Sequence, residues 1–328
     1  MNKATNIFFV GKGGVGKSTS AALTSVFLAQ KGFQVLIVSL DPAHNQSDIF
    51  EKNLSDKPFQ IVPNLLAIEI DQEFWIKQYL KDIHNQINKT YSYLTAFNLD
   101  KYFSVIKHSP GLEEYALILA FEQIRKDFSQ LDYLIFDMPP TALALKFFNL
   151  PSLSMIWIEH LLALRQEIIQ KRELITKIKI LKKEFERDKV LKKIEEQRKQ
   201  YQTLKDTFED RELTQISLVL NPDKLSHAES VRILKALQDI NISLYRTINN
   251  KMPIDSSCAD FDDAFSNISM LNFPYSETPL IGLDILMRFL KENENKMMGQ
   301  PLKVLKNGLE SARNVGKGWL WKKPWIPR

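Results

Sequence analysis

Residues 11 to 19 read GKGGVGKST and follow directly on the apolar run NIFFV. Glycines at 11, 13, 14 and 16, broken by Lys12, Val15 and Lys17 and closed by Ser18 and Thr19, have the spacing of a phosphate-binding loop. Glycines without Cβ atoms let backbone N–H groups turn inward around phosphate oxygens. The Ala- and Leu-rich stretch that follows, stopped at Gly32, predicts a helix whose N-terminus adds partial positive charge to the same spot. Lys17 is expected to reach the β- and γ-phosphates of a nucleotide, the Ser18 hydroxyl to ligate Mg²⁺, and Thr19 to hydrogen-bond a phosphate deeper in the site. Gly11 through Thr19 are therefore the candidate nucleotide-binding residues, with ATP and Mg²⁺ the expected cofactors.

Two aspartates stand where such a loop needs them. Asp137 follows YLIF, the position of the acidic residue on a Walker B strand, and would hold Mg²⁺ through water. Asp41 opens the polar stretch DPAHNQSD, where a carboxylate can orient and polarise the attacking water. Either aspartate could instead cap a helix or close a turn.

These residues need a sheet to carry them. Apolar runs at 33–41, 64–71, 131–140, 215–221, 242–250 and 269–274 read as strands after the first at 7–10, with helical stretches between most of them. That alternation predicts an α/β fold with a mostly parallel sheet flanked by helices. Ligands in such sheets bind beyond the carboxyl ends of the strands, where Gly11, Asp41, Asp137 and Asn249 all fall. The rhythm breaks between about 150 and 213. There LPSLSMIWIEHLL runs into a highly charged helical segment with a narrow apolar stripe at Leu174, Ile178, Leu181 and Phe185. The organisation expected is a core of 1–149, a helical insertion of 150–213, a second core segment of 214–294 and a basic tail of 295–328. The insertion is either a solvated helix packing along one seam or a subdomain that meets a client or partner.

Composition sets bounds. The chain has 328 residues, 44 basic against 39 acidic, and a net charge of +5, too mild to argue for nucleic acid. One cysteine, Cys258, excludes a disulfide or a thiolate cluster within one chain. The first strand begins almost at once, which leaves no room for a leader, and no uninterrupted apolar run reaches the ~20 residues of a spanning helix. The expectation is a cytoplasmic protein with no transmembrane segment. The tail NVGKGWLWKKPWIPR sets Trp319, Trp321 and Trp325 among basic residues. That suits peripheral membrane contact, an acidic partner or a plain flexible end.

The loop K-G-G-V-G-K-S-T resembles the deviant Walker A loop of the MinD, ParA, nitrogenase-iron-protein and ArsA group. In that group the first lysine crosses a dimer interface to the partner's nucleotide, which implies a catalytic role for Lys12 in a homodimer, comparable to an arginine finger. Within the group the chain resembles the ArsA-type ATPases, comprising the arsenical pump-driving ATPase and the ATPase that guides tail-anchored proteins to membranes. The matching stretches, in order, are DPAHNQSDIF as a first switch, SPGLEEYAL, DMPPTALALKFFNLP as a second switch, LVLNPDKLSHAESVRILKAL, TINN and FPYSETPLIGLDIL. The resemblance covers about residues 5 to 292. It implies Asn249 as an adenine reader and Pro274 as a further nucleotide contact.

The departures bear on function. The second switch of the family has Gly, His and Arg where this chain has Ala142, Leu143 and Lys146. The metalloid-binding cysteines of the pump and the zinc-bridging C-x-x-C of the targeting ATPase have no counterparts here. Three functions follow as alternatives. One is a nucleotide-gated carrier or targeting factor, with Met155, Ile156, Trp157, Leu161 and Leu162 as the client face for a hydrophobic helix; the same residues could be core. The second is the motor of an arsenite efflux pump, which would lack soft ligands. The third is a scaffold or partitioning ATPase of the MinD or ParA kind.

Overall fold

A computed structural model describes residues 4–90, 111–176, 189–253 and 263–294. The apolar positions Ile178, Leu181 and Phe185, Cys258 and the tail 295–328 lie outside the described residues.

Among the described residues, eight strands form one sheet: β1 (Thr5–Val10), β2 (Val35–Ser39), β3 (Phe59–Val62), β4 (Leu65–Glu69), β5 (Tyr133–Asp137), β6 (Thr214–Leu220), β7 (Leu244–Met252) and β8 (Ser269–Pro274). Their spatial order is β3-β4-β2-β5-β1-β6-β7-β8. Only β3 runs antiparallel to its neighbour. The strands expected from sequence are all present, and the sheet is mostly parallel as expected. β3 is the one that periodicity did not announce. It is four residues long, half-exposed and tied to β4 by a turn in which Asn64 takes φ 69°.

β1 lies centrally and shows how the sheet is covered. Successive side chains of a strand point to opposite faces. Phe8 enters one core with Phe121, Phe136, Phe147, Phe148 and Phe208. Ile7 and Phe9 enter the other, beneath helix α1 (Lys17–Gln30). Both faces are therefore buried, which is why the central strands are continuously apolar rather than alternating. On the first face the Phe8 and Phe136 rings stack with centroids 4.9 Å apart, and Phe148 meets Phe8 edge-on at 5.1 Å.

The remaining helices are α2 (Asn45–Phe50), α3 (Gln72–Thr90), α4 (Leu112–Asp127), α5 (Thr141–Thr176), α6 (Lys189–Glu209), α7 (Lys224–Asp239) and α8 (Leu283–Glu292). Helix α5 begins at Thr141, so position 150 falls inside it, and Pro151 is carried within it. α5 and α6 pack against each other, and α6 returns the chain to β6.

Among the described residues, helix α5 over Thr141–Lys171 is long and apolar enough to cross a membrane by length and composition alone, a test that the core helix of a soluble protein also passes. It lacks an uninterrupted apolar run. Lys146, Glu159, Arg165, Glu167 and Lys171 interrupt it, and its longest charge-free run, 147–158, falls short of a spanning length.

Candidate nucleotide site

The loop between β1 and α1 is shaped by glycine at two positions. Gly11 takes φ 151°, and a Cβ there would run into the Val219 carbonyl of β6. Gly16 takes φ 94°, and a Cβ there would meet the Asn250 side-chain amide. Positive φ and close backbone approach both demand glycine. Asn250 Nδ2 donates to the Val15 carbonyl at 2.8 Å, in a buried contact that ties the end of β7 to the loop. Lys17 is buried, and its Nζ lies 3.5 Å from the Lys12 carbonyl. The Lys12 side chain is half-buried at the lip, Gly13 and Gly14 are exposed, and Thr19 is half-buried on α1.

Across from the loop lies the end of β5. Because β5 neighbours β1, Asp137 is in register with Phe9, close to the start of the loop. Its carboxylate is fully buried. Oδ2 accepts from Gln46 Nε2 at 3.0 Å, and the nearby Ser18 favours the ionised carboxylate. Burial pushes the Asp137 carboxyl up to about 6, against the pull of Gln46, Ser18 and Lys17, and Asp41 adds to the rise. Asp137 Oδ1 has no hydrogen-bond partner among the described residues. A buried carboxylate beside a serine hydroxyl, with one oxygen orphaned, fits a hydrated divalent cation.

Asp41 is buried two residues beyond β2, and its Oδ1 accepts from the Ala43 N–H at 3.1 Å. It is thus a turn residue as well as a candidate for positioning water. The turn continues through His44, at φ 51°, into α2. Ser47 anchors that helix to buried Glu69, with N–H and hydroxyl donating at 2.8 and 2.6 Å. Asn45 Nδ2 reaches Ser18 Oγ at 3.4 Å, so the DPAHNQSD stretch lies directly over the Ser18 end of the loop.

The DMPPTALALKFFNLP stretch is tied to two neighbours. The Thr141 hydroxyl donates to Glu229 Oε1 of α7 at 2.7 Å and lies 3.3 Å from the Gly11 carbonyl. Lys146 Nζ pairs with Glu114 of α4 at 3.0 Å, and the Glu114 carboxylate is nearly buried. The lysine that departs from the family's arginine is therefore engaged.

Asn249 lies at the end of β7, where its Nδ2 donates to Asn272 Oδ1 of β8 at 2.8 Å. Its own Oδ1 is buried without a partner among the described residues. Pro274 ends β8 at the same edge, opposite Met252. The structure thus gathers the loop, Asp41 and Asp137 tightly, with Asn249 and Pro274 further along the same edge of the sheet. Sequence reasoning passed over Gln46, Asn250 and Glu229. Gln46 was visible in one respect: with Ile49 and Phe50 it makes an i, i+3, i+4 set, the buried face of a short helix.

A glycine loop between the central strand and α1, with an acidic residue closing the adjacent strand, defines a P-loop NTPase. The chain belongs to the anion-transporting ATPase family, which it matches over residues 4–292, and it is an ATPase. It is 25% identical over 303 residues to an Aquifex aeolicus protein named "Putative arsenical pump-driving ATPase 2", covering 87% of this chain and 97% of that one. It is 29% identical over 261 residues to the ATPase ASNA1 homolog of Entamoeba histolytica, 78% of each chain. With the ATPase ASNA1 homolog of Plasmodium vivax it shares 30% over 273 residues, 79% of this chain and 67% of that one.

Proposed function

We propose that this ATPase is a nucleotide-gated carrier or targeting factor for a hydrophobic helical client. The observation that carries the reading is the outer face of α5. Leu153, Ile156, Trp157, Leu161, Leu164 and Ile168 are exposed on it, Trp157 at 70% and Ile156 at 54%. Their spacing of three, one, four, three and four makes one stripe along the helix. A contiguous apolar stripe of this kind marks an interaction site. Met155 and Leu162, expected from sequence at the client face, are only half-buried flanks of the stripe.

The same helix begins beside the nucleotide site. Thr141, its first residue, contacts the Gly11 carbonyl, and Trp157 lies 16 residues further on, ~24 Å at 1.5 Å per residue. Movement of its start with nucleotide state would be passed along the helix to the stripe. Two copies close as a homodimer. Lys17, the loop amides and Thr19 would hold the phosphates, and Ser18 and Asp137 would hold Mg²⁺. Asp41 positions the attacking water, Asn249 and Pro274 meet the base, and Lys12 reaches the partner's nucleotide in the manner of a deviant Walker A loop. Mg²⁺ held there would supply charge neutralisation to the phosphates. The protein works in the cytoplasm, where ATP is supplied.

The second reading, an arsenite pump motor, has in its favour the name of the Aquifex relative. Against it stands a single cysteine.

The test is binding of a fluorescent 20-residue apolar helix peptide to wild type and to Trp157→Glu and Leu164→Glu. Charge on the stripe should cut capture at least tenfold and leave basal ATP turnover intact. Undiminished capture by both folded variants would remove α5 as the docking face.

A further inference from the structure

Gln46 is fully buried, in a helix of six residues that lies against the phosphate loop. Glutamine is seldom buried, because its amide must then find partners for two donor hydrogens and an acceptor oxygen. The donors are satisfied. Nε2 gives one hydrogen to the Ser18 carbonyl and one to Asp137 Oδ2, each at 3.0 Å. The acceptor is not: Gln46 Oε1 is buried with no partner among the described residues, as is Asp137 Oδ1. Exchanging the amide's oxygen and nitrogen does not relieve this. It would set the oxygen against a carbonyl and a carboxylate, three acceptors together with no hydrogen among them. Two acceptor oxygens, on side chains joined to each other by a hydrogen bond, are thus left without a donor among the described residues.

We propose that Gln46 is a positioning residue for the metal side of the site. Its amide hydrogens set the rotamer of Asp137 and hold it to the main chain of Ser18, and its Oε1 accepts from a water in the shell of the divalent cation. The inference rests on the reading of this loop as a Mg²⁺-nucleotide site and adds to it a residue outside the loop and the two aspartates. A brace between α2 and the loop is the competing role for the same contacts. The two roles separate on metal dependence, since a brace acts on nucleotide affinity with or without the ion.

The experiment is equilibrium binding of a fluorescent ADP derivative to the full chain, followed by anisotropy, in EDTA and over a Mg²⁺ titration. Gln46→Leu and Gln46→Met both remove the amide at similar volume, so failure of one to fold leaves the other to decide. In a folded variant the Mg²⁺ concentration for half-saturation should rise about tenfold or more, the usual loss when a partner of a metal ligand is removed. Metal-free affinity should stay within about twofold. An unchanged Mg²⁺ half-saturation would overturn the inference, and so would an equal fall in affinity with and without the ion. A wild-type protein whose nucleotide affinity ignores Mg²⁺ would instead overturn the magnesium reading itself, and this inference with it.

Discussion

Asn250 Nδ2 donates to the Val15 carbonyl at 2.8 Å, so the end of β7 fixes the conformation of a loop 235 residues earlier in the chain. The contact is buried, and the same amide occupies the space that a Cβ on Gly16 would need. Loop and strand end are therefore one unit. Asn250→Ala leaves the Val15 carbonyl buried without a donor, at a cost of about 1–3 kcal/mol. Denaturant unfolding should register that loss, and ADP affinity should fall with it. A variant with unaltered stability and affinity would show that the loop holds its shape alone.

How much of this could be read from the chain depends on whether a residue's partner is local. The loop, β5 and Asp137 are local patterns: glycine spacing, a short apolar run, an acid at its end. Gln46 and Asn250 are polar residues whose meaning comes from contacts 91 and 235 residues away, which periodicity cannot see. β3 escaped because a four-residue half-exposed edge strand carries neither a buried run nor a clear alternation. Helix α5 runs from Thr141 through position 150, with Pro139 and Pro140 just before it and Pro151 inside it, a continuity that no local pattern announces.

The two lysines should separate. Lys17→Ala should weaken nucleotide binding and abolish hydrolysis. Lys12→Ala should keep most binding and lose on the order of 10³ in turnover, the scale of a charge supplied in trans. Mixing Lys12→Ala with Asp41→Asn subunits should restore activity, because each heterodimer contains one site with both groups intact. No recovery in heterodimers shown to form would remove the in-trans role.

Asp137 should make the metal-free protein less stable at neutral pH than at mild acidity. Its folded value of about 6 lies above the ordinary 3.8, so the folded state holds the proton more tightly than the unfolded chain. The cost of the buried charge is absent below about pH 4, grows between there and pH 6, and is complete above it. At pH 7.5 in EDTA, Asp137→Asn should exceed wild type by up to about 3 kcal/mol, with the gap closing toward pH 5. A gap that widens as pH falls would reverse the sign and the assignment.

Arsenite and antimonite should leave ATP turnover unchanged, since a chain with one cysteine offers no cluster of soft ligands. Stimulation by arsenite that disappears in Cys258→Ser would revive the pump motor and displace the carrier.

Gated capture is the claim on which the functional account turns, and it has a direct measurement. A nucleotide promotes client binding only if the closed state holds the client more tightly than the open one. The Kd of a labelled apolar helix peptide should be measured with ATP, with ADP and without nucleotide, using Asp41→Asn to retain ATP. The account predicts at least about tenfold tighter binding with ATP than without nucleotide, a coupling of ~1.4 kcal/mol. One Kd in all three conditions, or no binding in any of them, would contradict it.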